Sequence, residues 1–367
     1  MRVFILALGT RGDFEPFWCL GRNLRLRGHH VTIGTSAFHI QAAADPDLAW
    51  VRIGAGTRDA LIDVLHSLAL LPSHQARTAA FLEAWIVPQL RDGKPATVAT
   101  AAAHDYFVSN IELPLQRAGV SYPGAFVSYD PPALLSDLPA PASRSYASRK
   151  LELVAMSRAL VDPEMHWGVQ FQFTGFWRSP PRQHEPPALL AGFMDAGPAP
   201  MVLTMGSMVT FDAAHLADCF ARALAAGNRR GVIIGGWSDA PPQLHRDGPL
   251  LITDQADYDW LFPRAAGIIH HGGTGTVAAA LRAGVPSILL PQIESQDTWG
   301  ALLTKVGVCA GVLDTDLLDP QVLAAAIDRI HTDQSLRDVA SAWPAILAAD
   351  GGVEKAVALI EAHWSSL

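Results

Sequence analysis

Residues 265–297 read AAGIIHHGGTGTVAAALRAGVPSILLPQIESQD. Ala266 to His270 is a short apolar run with β-branched residues, suited to a buried strand. His271-Gly272-Gly273-Thr274-Gly275-Thr276 forms a glycine turn, and Val277 to Ala283, rich in Ala and Leu, predicts a helix. Gly284-Val285-Pro286 stops that helix, and Ser287 to Leu290 begins the next strand. A strand feeding a helix through glycines places N–H groups and a positive helix end at the carboxyl edge of a parallel sheet. Such an end favours a phosphate, with Thr276 and His271 as added donors. The plain alternative is a strand–helix connection without a ligand.

The same pattern recurs earlier in the chain. Arg2 to Leu8 reads as a buried strand, Gly9 to Asp13 as a turn and Phe17 to Arg27 as a helix closed by Gly28. Val31 to Thr35 is the second strand. This βαβ opening lacks G-x-G-x-x-G, so it predicts no dinucleotide site. Residues 57–92 carry helical spacing, and Tyr106 to Ser109 and Ala125 to Ser128 read as strands. Pro131, Pro132, Pro139 and Pro141 mark an irregular stretch. RSPPRQHEPP, 178–187, is the expected linker. Beyond it, Met201 to Met205 ends in Gly206-Ser207, a helix spans Leu216 to Ala225, and Gly231 to Ile234 leads into Gly235-Gly236-Trp237. Leu250 to Ile252 is a further strand. The expected fold is α/β, with two Rossmann-like doubly wound domains facing across a cleft that takes the ligand. Domains are expected at 1–180 and 181–350, followed by a last helix within 351–367.

The chain has 367 residues, enough for two domains, and half are hydrophobic. A net charge of −8 argues against nucleic acid or an anionic membrane as the main partner. Three scattered cysteines without metal spacing suit reduced thiols in the cytoplasm. Arg11 and Asp13 interrupt the first apolar run too early for a signal peptide, and no apolar run reaches the roughly 20 residues that span a bilayer.

His270-His271-Gly272-Gly273-Thr274-Gly275-Thr276, Ala283-Gly284-Val285-Pro286 and Leu290-Pro291 resemble the donor signature of the UDP/TDP-glycosyltransferases. These are inverting GT-B enzymes that include antibiotic, sterol and plant natural-product glycosyltransferases. Gly9-Thr10-Arg11-Gly12-Asp13-Phe14-Glu15-Pro16 resembles the N-terminal motif of the same family. The resemblance implies transfer of a sugar from a UDP- or TDP-sugar to a hydroxyl of a hydrophobic small molecule, with no metal or other cofactor. It makes Asp13 the general base, against the alternative that Asp13 only caps the helix, with Glu15 as the fallback. It assigns His271, Gly273, Gly275, Thr276 and Ser207 to the diphosphate, and Thr10 and Arg11 to the same group from the other domain. His270 is expected to end the strand and pack. The resemblance places the acceptor pocket in the middle of the N-terminal domain, which is short here and suggests an open pocket, and implies that 351–367 returns to the first domain as a helix.

Two departures from the family pattern stand out. Pro291-Gln292-Ile293-Glu294-Ser295-Gln296 has Ser295 where the family has Asp, while Gln296 is kept; both are assigned to the donor sugar. A hydroxyl there loses a charge-assisted acceptor, which points to a deoxysugar, pentose or amino sugar. The alternative is that Glu294 or Asp297 reaches the same sugar hydroxyls. Asp257-Tyr258 replaces the pair that frames the nucleotide base, so Tyr258 and Trp237 are the base candidates, and Trp237 equally suits simple packing. Asp257-Tyr258-Asp259 and Asp314-Thr315-Asp316 have D-x-D form but read as solvated turn acids, with no metal site expected. Competing functions are a nucleotide-sugar epimerase or hydrolase on the same scaffold, and a non-catalytic GT-B partner protein.

Overall fold

The computed structural model describes residues 1–68, 71–109, 124–128, 151–161, 171–178, 185–206, 213–235, 245–247 and 249–367. They divide into two compact units: Met1–Val64, Ala79–Ser179 and Ala349–Leu367 form the first, and Leu65–Thr78 with Pro180–Ala348 the second.

The first unit is built on a sheet of β1 (Arg2–Leu6), β2 (His30–Thr35), β3 (Ala49–Arg52), β4 (Tyr106–Ser109), β5 (Gly124–Ser128), β6 (Leu151–Val154) and β7 (Phe171–Phe173). Their spatial order is β3-β2-β1-β4-β5-β6-β7, and every pairing is parallel. Val3 to Leu6 are wholly buried, as expected of a parallel strand covered on both faces. Helix α1 (Arg11–Leu26) turns Phe14, Phe17, Trp18, Leu20 and Leu24 inward. Spacings of three and four residues put these on one face, and each large apolar side chain so buried contributes about 1.5–3 kcal/mol. Helix α2 (Ala37–Ala43) follows β2. The last helix, Gly352–Ser365, adds Ala356, Val357 and Ile360 to the same core. Its His363 Nδ1 lies 2.6 Å from the Tyr106 hydroxyl, and its Glu361 lies 2.9 Å from His29.

α1 begins at Arg11, six residues before the helix expected at Phe17. Gly12 and Asp13 therefore belong to the first helical turn and not to a preceding loop. The capping arrangement between Thr10 and Asp13 starts the helix early.

The second unit holds β8 (Met201–Thr204), β9 (Gly231–Ile234), β10 (His245–Asp247), β11 (Leu250–Thr253), β12 (Gly267–His270), β13 (Ser287–Leu289) and β14 (Cys309–Val312). Their order is β10-β11-β9-β8-β12-β13-β14, parallel throughout except for the β10–β11 edge pair. Leu203, Ile269 and Ile288 face one layer with Phe220 and Ile327, while Val202 and Ile268 face the other with Phe193 and Phe262. Alternate residues of each strand thus serve opposite layers, the signature of helices on both sides of a sheet.

Leu65–Thr78 lies within the stretch expected to be wholly N-terminal, yet it clusters with the second unit. Three polar contacts explain this. Arg77 Nη2 meets Asp316 Oδ2 at 2.6 Å, His74 Nδ1 meets Asp297 Oδ2 at 2.7 Å, and Glu294 N–H donates to Thr78 Oγ1 at 3.1 Å. The expected linker lies mostly outside the described residues, as does most of the proline-marked stretch and of the expected acceptor region. Cys19, Cys219 and Cys309 are buried free thiols. Among the described residues no helix is long and apolar enough to cross a membrane.

Candidate active site

Both glycine turns stand where their sheet reverses its winding. In the second unit β8 lies between β9 and β12, so the loops after β8 and β12 diverge to opposite faces. β8 and β12 pair in register, with Thr204 opposite His270, which brings Gly206 and His271 together just beyond the strands. Such a switch point at the carboxyl edge is the ligand crevice of a doubly wound sheet.

His271 fills that crevice. A Cβ on Gly206, which has φ +61, would lie 2.6 Å from His271 Cε1, and a Cβ on Gly273 would run into His271 Nε2. Two glycines therefore make room for one imidazole. Tyr258 OH lies 2.9 Å from Thr204 Oγ1, which accepts the Gly206 N–H at 3.2 Å and steadies the loop. His271 is 5% exposed, and its Nδ1 has no hydrogen-bond partner among the described residues. Burial lowers its pKa to about 4, so the ring is neutral near pH 7 and carries one N–H. Helix Thr274–Ala283 starts beside it with Gly273 as N-cap, and no side chain caps that end. Its leading N–H groups are thus offered outward. Trp299, wholly buried, donates its indole N–H to Thr274 Oγ1 at 3.1 Å. Gly275 is exposed with open space before it, and Thr276 is buried.

The first unit carries its turn at the equivalent place, where β1 lies between β2 and β4. Asp13 Oδ2 accepts the Thr10 N–H at 2.7 Å and the Thr10 hydroxyl at 3.0 Å. Gly9, with φ +131, is the only residue type that fits, because a Cβ there would lie 2.6 Å from Asp13 Cγ. Asp13 is thus both helix cap and candidate base, two readings that its position does not set against each other. Arg11 is exposed and closes on Glu15 at 2.7 Å, so the fallback base is already ion-paired.

The remaining candidates are scattered in role. Ser207 and Trp237 lie outside the described residues. Tyr258 stacks on Phe262, with centroids 4.3 Å apart. Ser295 sits half-buried in the first turn of helix Glu294–Lys305. Gln296 is buried and its Oε1 accepts the Gln292 N–H at 2.7 Å, so its amide oxygen is engaged within the chain. Asp297, the alternative sugar ligand, is bridged to His74. His270 ends β12 wholly buried, its Nδ1 accepting the Gly272 N–H at 3.1 Å. The D-x-D acids are more engaged than solvated turn acids would be. Asp257 and Asp314 each accept the N–H two residues on, at 2.9 Å, while Asp259 and Asp316 pair with Arg282 and Arg77. Among the described residues no three His, Cys, Asp or Glu side chains gather as a metal site.

Three residues beside these turns escaped the sequence reading: in the first unit His39, whose Nε2 lies 3.1 Å from the Gly9 carbonyl oxygen, and in the second unit Gly206, in its role as a wall for His271, and Trp299. None belongs to a spaced motif. Only strand pairing brings Gly206 to His271, and only helix packing brings Trp299 to Thr274.

The buried histidines give the protein an acid limit. Burial lowers His39 and His271 from the usual 6.5 to about 4, and His270 to about 3. Between those values and 6.5 the unfolded chain binds more protons than the folded one, so stability rises with pH across that window and falls on acidification. Each histidine contributes a slope of up to about 1.4 kcal/mol per pH unit. Urea melts at pH 7, 6 and 5 should show the loss, and His270→Asn should flatten the slope if it folds.

Comparison with known proteins bears on the fold. Residues 251–358 match the erythromycin biosynthesis protein CIII-like C-terminal domain. The chain is 27% identical to O-mycaminosyltylonolide 6-deoxyallosyltransferase of Streptomyces fradiae, over 100% of this chain and 98% of that protein. Its fold matches CalG4, the calicheamicin glycosyltransferase, with a TM-score of 0.71 at 18% identity, covering 100% of this chain and 98% of the other. The chain is a glycosyltransferase homologue with the GT-B fold. SsfS6 of Streptomyces sp. SF2575, a glycosyltransferase complexed with thymidine diphosphate, matches at a TM-score of 0.66 and 19% identity over 99% of each chain. In the present chain the matched C-terminal domain, residues 251–358, includes His271 to Thr276 and the helix start at Ser295 and Gln296.

Proposed function

We propose that this protein is an inverting glycosyltransferase that moves a sugar from a UDP- or TDP-sugar to a hydroxyl of a hydrophobic small molecule. The observation that carries the reading is His271, cradled by Gly206 and Gly273 beside an uncapped helix end at a topological switch point. A neutral imidazole N–H and oriented backbone N–H groups suit a diphosphate whose charge grows as it leaves. Asp13 takes the proton of the acceptor hydroxyl as its oxygen attacks the anomeric carbon, and the bond to the diphosphate breaks in the same displacement. No metal is needed in this reading, since the helix end and His271 meet the charge. Ser207, Thr10 and Arg11 are further diphosphate contacts, with Trp237 and Tyr258 beside the base.

The donor sugar is a deoxysugar in this reading. Ser295 supplies no carboxylate, and one carboxylate oxygen of Asp297 is already engaged by His74. The Streptomyces fradiae relative is by name a 6-deoxyallosyltransferase, and the thymidine diphosphate bound to SsfS6 supports TDP as the carrier. A natural-product acceptor fits the same relatives.

Thermal melts against UDP- and TDP-sugars test both parts. A donor at 100 times its Kd stabilises by about 2.7 kcal/mol. TDP-deoxysugars should raise the melting temperature more than UDP-glucose does. UDP-glucose as the best ligand overturns the deoxysugar assignment, and no response to any nucleotide overturns the whole reading.

A further inference from the structure

β2 ends at Thr35, and Ser36 opens α2, which carries His39. His39 is 3% exposed. Its ring stacks on Phe14, with centroids 4.5 Å apart and planes 9° from parallel, and contacts Phe38. Its Nε2 lies 3.1 Å from the Gly9 carbonyl oxygen. A carbonyl only accepts, so Nε2 carries the proton and donates. Burial keeps the ring neutral, with a pKa of about 4.

The Gly9 carbonyl and the Thr10 N–H are two ends of one peptide group. The first accepts from His39, and the second donates to Asp13 Oδ2 at 2.7 Å. A continuous path therefore runs from the imidazole N–H through a single amide to the carboxylate. Donation to the carbonyl polarises the amide and strengthens its N–H as a donor. The planar amide also transmits orientation, because rotating its carbonyl away from His39 rotates its N–H away from Asp13. Gly9 makes the peptide pliable, with φ +131 and no side chain to hold it. An external grip is what fixes it.

We propose that His39 is a positioning residue for the Asp13 carboxylate, acting through the Gly9–Thr10 peptide. The proposal rests on the reading of Asp13 as general base. His39 touches neither donor nor acceptor in this scheme; it holds the base where the acceptor hydroxyl must meet it.

The test uses the full-length protein in four forms: parent, His39→Phe, His39→Gln and Asp13→Asn. Phenylalanine keeps the ring on Phe14 but cannot donate. Glutamine places an amide N–H at similar reach. Turnover with the donor found by the melting panel, the Kd for TDP, and the Thr10 amide proton shift in threonine-labelled protein are measured on each. His39→Phe should lower kcat about 10- to 100-fold, leave the Kd for TDP unchanged, and move the Thr10 amide upfield. His39→Gln should restore most of both. A folded His39→Phe with parental kcat and an unmoved Thr10 amide overturns the proposal, as does His39→Gln losing as much as His39→Phe. His39→Leu is the second donor-less variant should the phenylalanine form not fold. If Asp13→Asn retains parental kcat while the Thr10 amide still answers to His39, the base reading fails and the coupling between His39 and the turn stands. The amide shift separates the two failures because it does not depend on turnover.

Discussion

Asp13→Asn should lower kcat by about 10²–10⁴, the range that loss of a general base produces, while the Kd for the donor nucleotide stays as it was. The substitution separates two jobs of one side chain. Asparagine retains an oxygen that can accept the Thr10 N–H, which Asp13 now takes at 2.7 Å, so most of the helix cap survives. What disappears is the negative charge at the positive helix end, worth about 0.3–1 kcal/mol at such a place, and the ability to take a proton. A small loss of stability with a large loss of turnover identifies the base. If kcat were parental and only the melting temperature fell, Asp13 would be a cap alone, and Glu15, already closed on Arg11, would be a poor successor.

Gly273→Ala should weaken nucleotide binding by about 10- to 100-fold, the equivalent of one or two charge-assisted hydrogen bonds. The backbone at Gly273 has φ −65 and ψ 138, a region open to any residue, so alanine suffers no conformational strain. Its methyl group instead meets the His271 ring, whose Cε1 and Cδ2 would lie 3.0 and 3.2 Å from the new carbon. His271 has little room to retreat, since the ring is buried and Gly206 lies close enough that a Cβ there would itself collide with it. The ring must tilt, and its N–H and the helix end no longer converge on one anion. Titration calorimetry with TDP reads the effect directly. The change in the ligand-free protein should remain within the about 1–3 kcal/mol typical of overpacking. Parental affinity in a folded Gly273→Ala would mean that the diphosphate is bound elsewhere and the turn is only a connection.

Much of this was legible in the sequence for local reasons. β9 and β4 lie where the apolar runs Gly231 to Ile234 and Tyr106 to Ser109 placed them, because a buried parallel strand is a short run of large apolar residues with punctuation at both ends. Helix ends were less legible. Phe17 is the first residue after Pro16 in helical rhythm, but α1 starts at Arg11, since a cap made by Thr10 and Asp13 outweighs the helix-breaking tendency of Gly12 and tolerates Pro16 in the next turn. β6 and β7 were not read at all; Phe171–Phe173 is only three residues long and half-buried, too short for a period to register.

The candidate residues divide along the same line. The sequence by itself determined that His271 and Gly273 lead into a helix and that Asp13 follows a strand, since these are contiguous residues whose geometry follows from local backbone rules; the helix begins at Thr274, three residues before Val277, and takes in Gly275 and Thr276. Tertiary structure alone decided which neighbours make those residues into sites. Gly206 lies 65 positions from His271 along the chain, and His39 lies 30 from Gly9. Parallel pairing through a crossover unites the first pair, and the second depends on where α2 settles over the first strand's end. Asp297 shows the converse, a carboxylate suited by sequence to a sugar, one oxygen of which meets His74 once the chain has folded. Such long-range contacts are set by the packing of whole layers, and no window of residues around either partner contains that information.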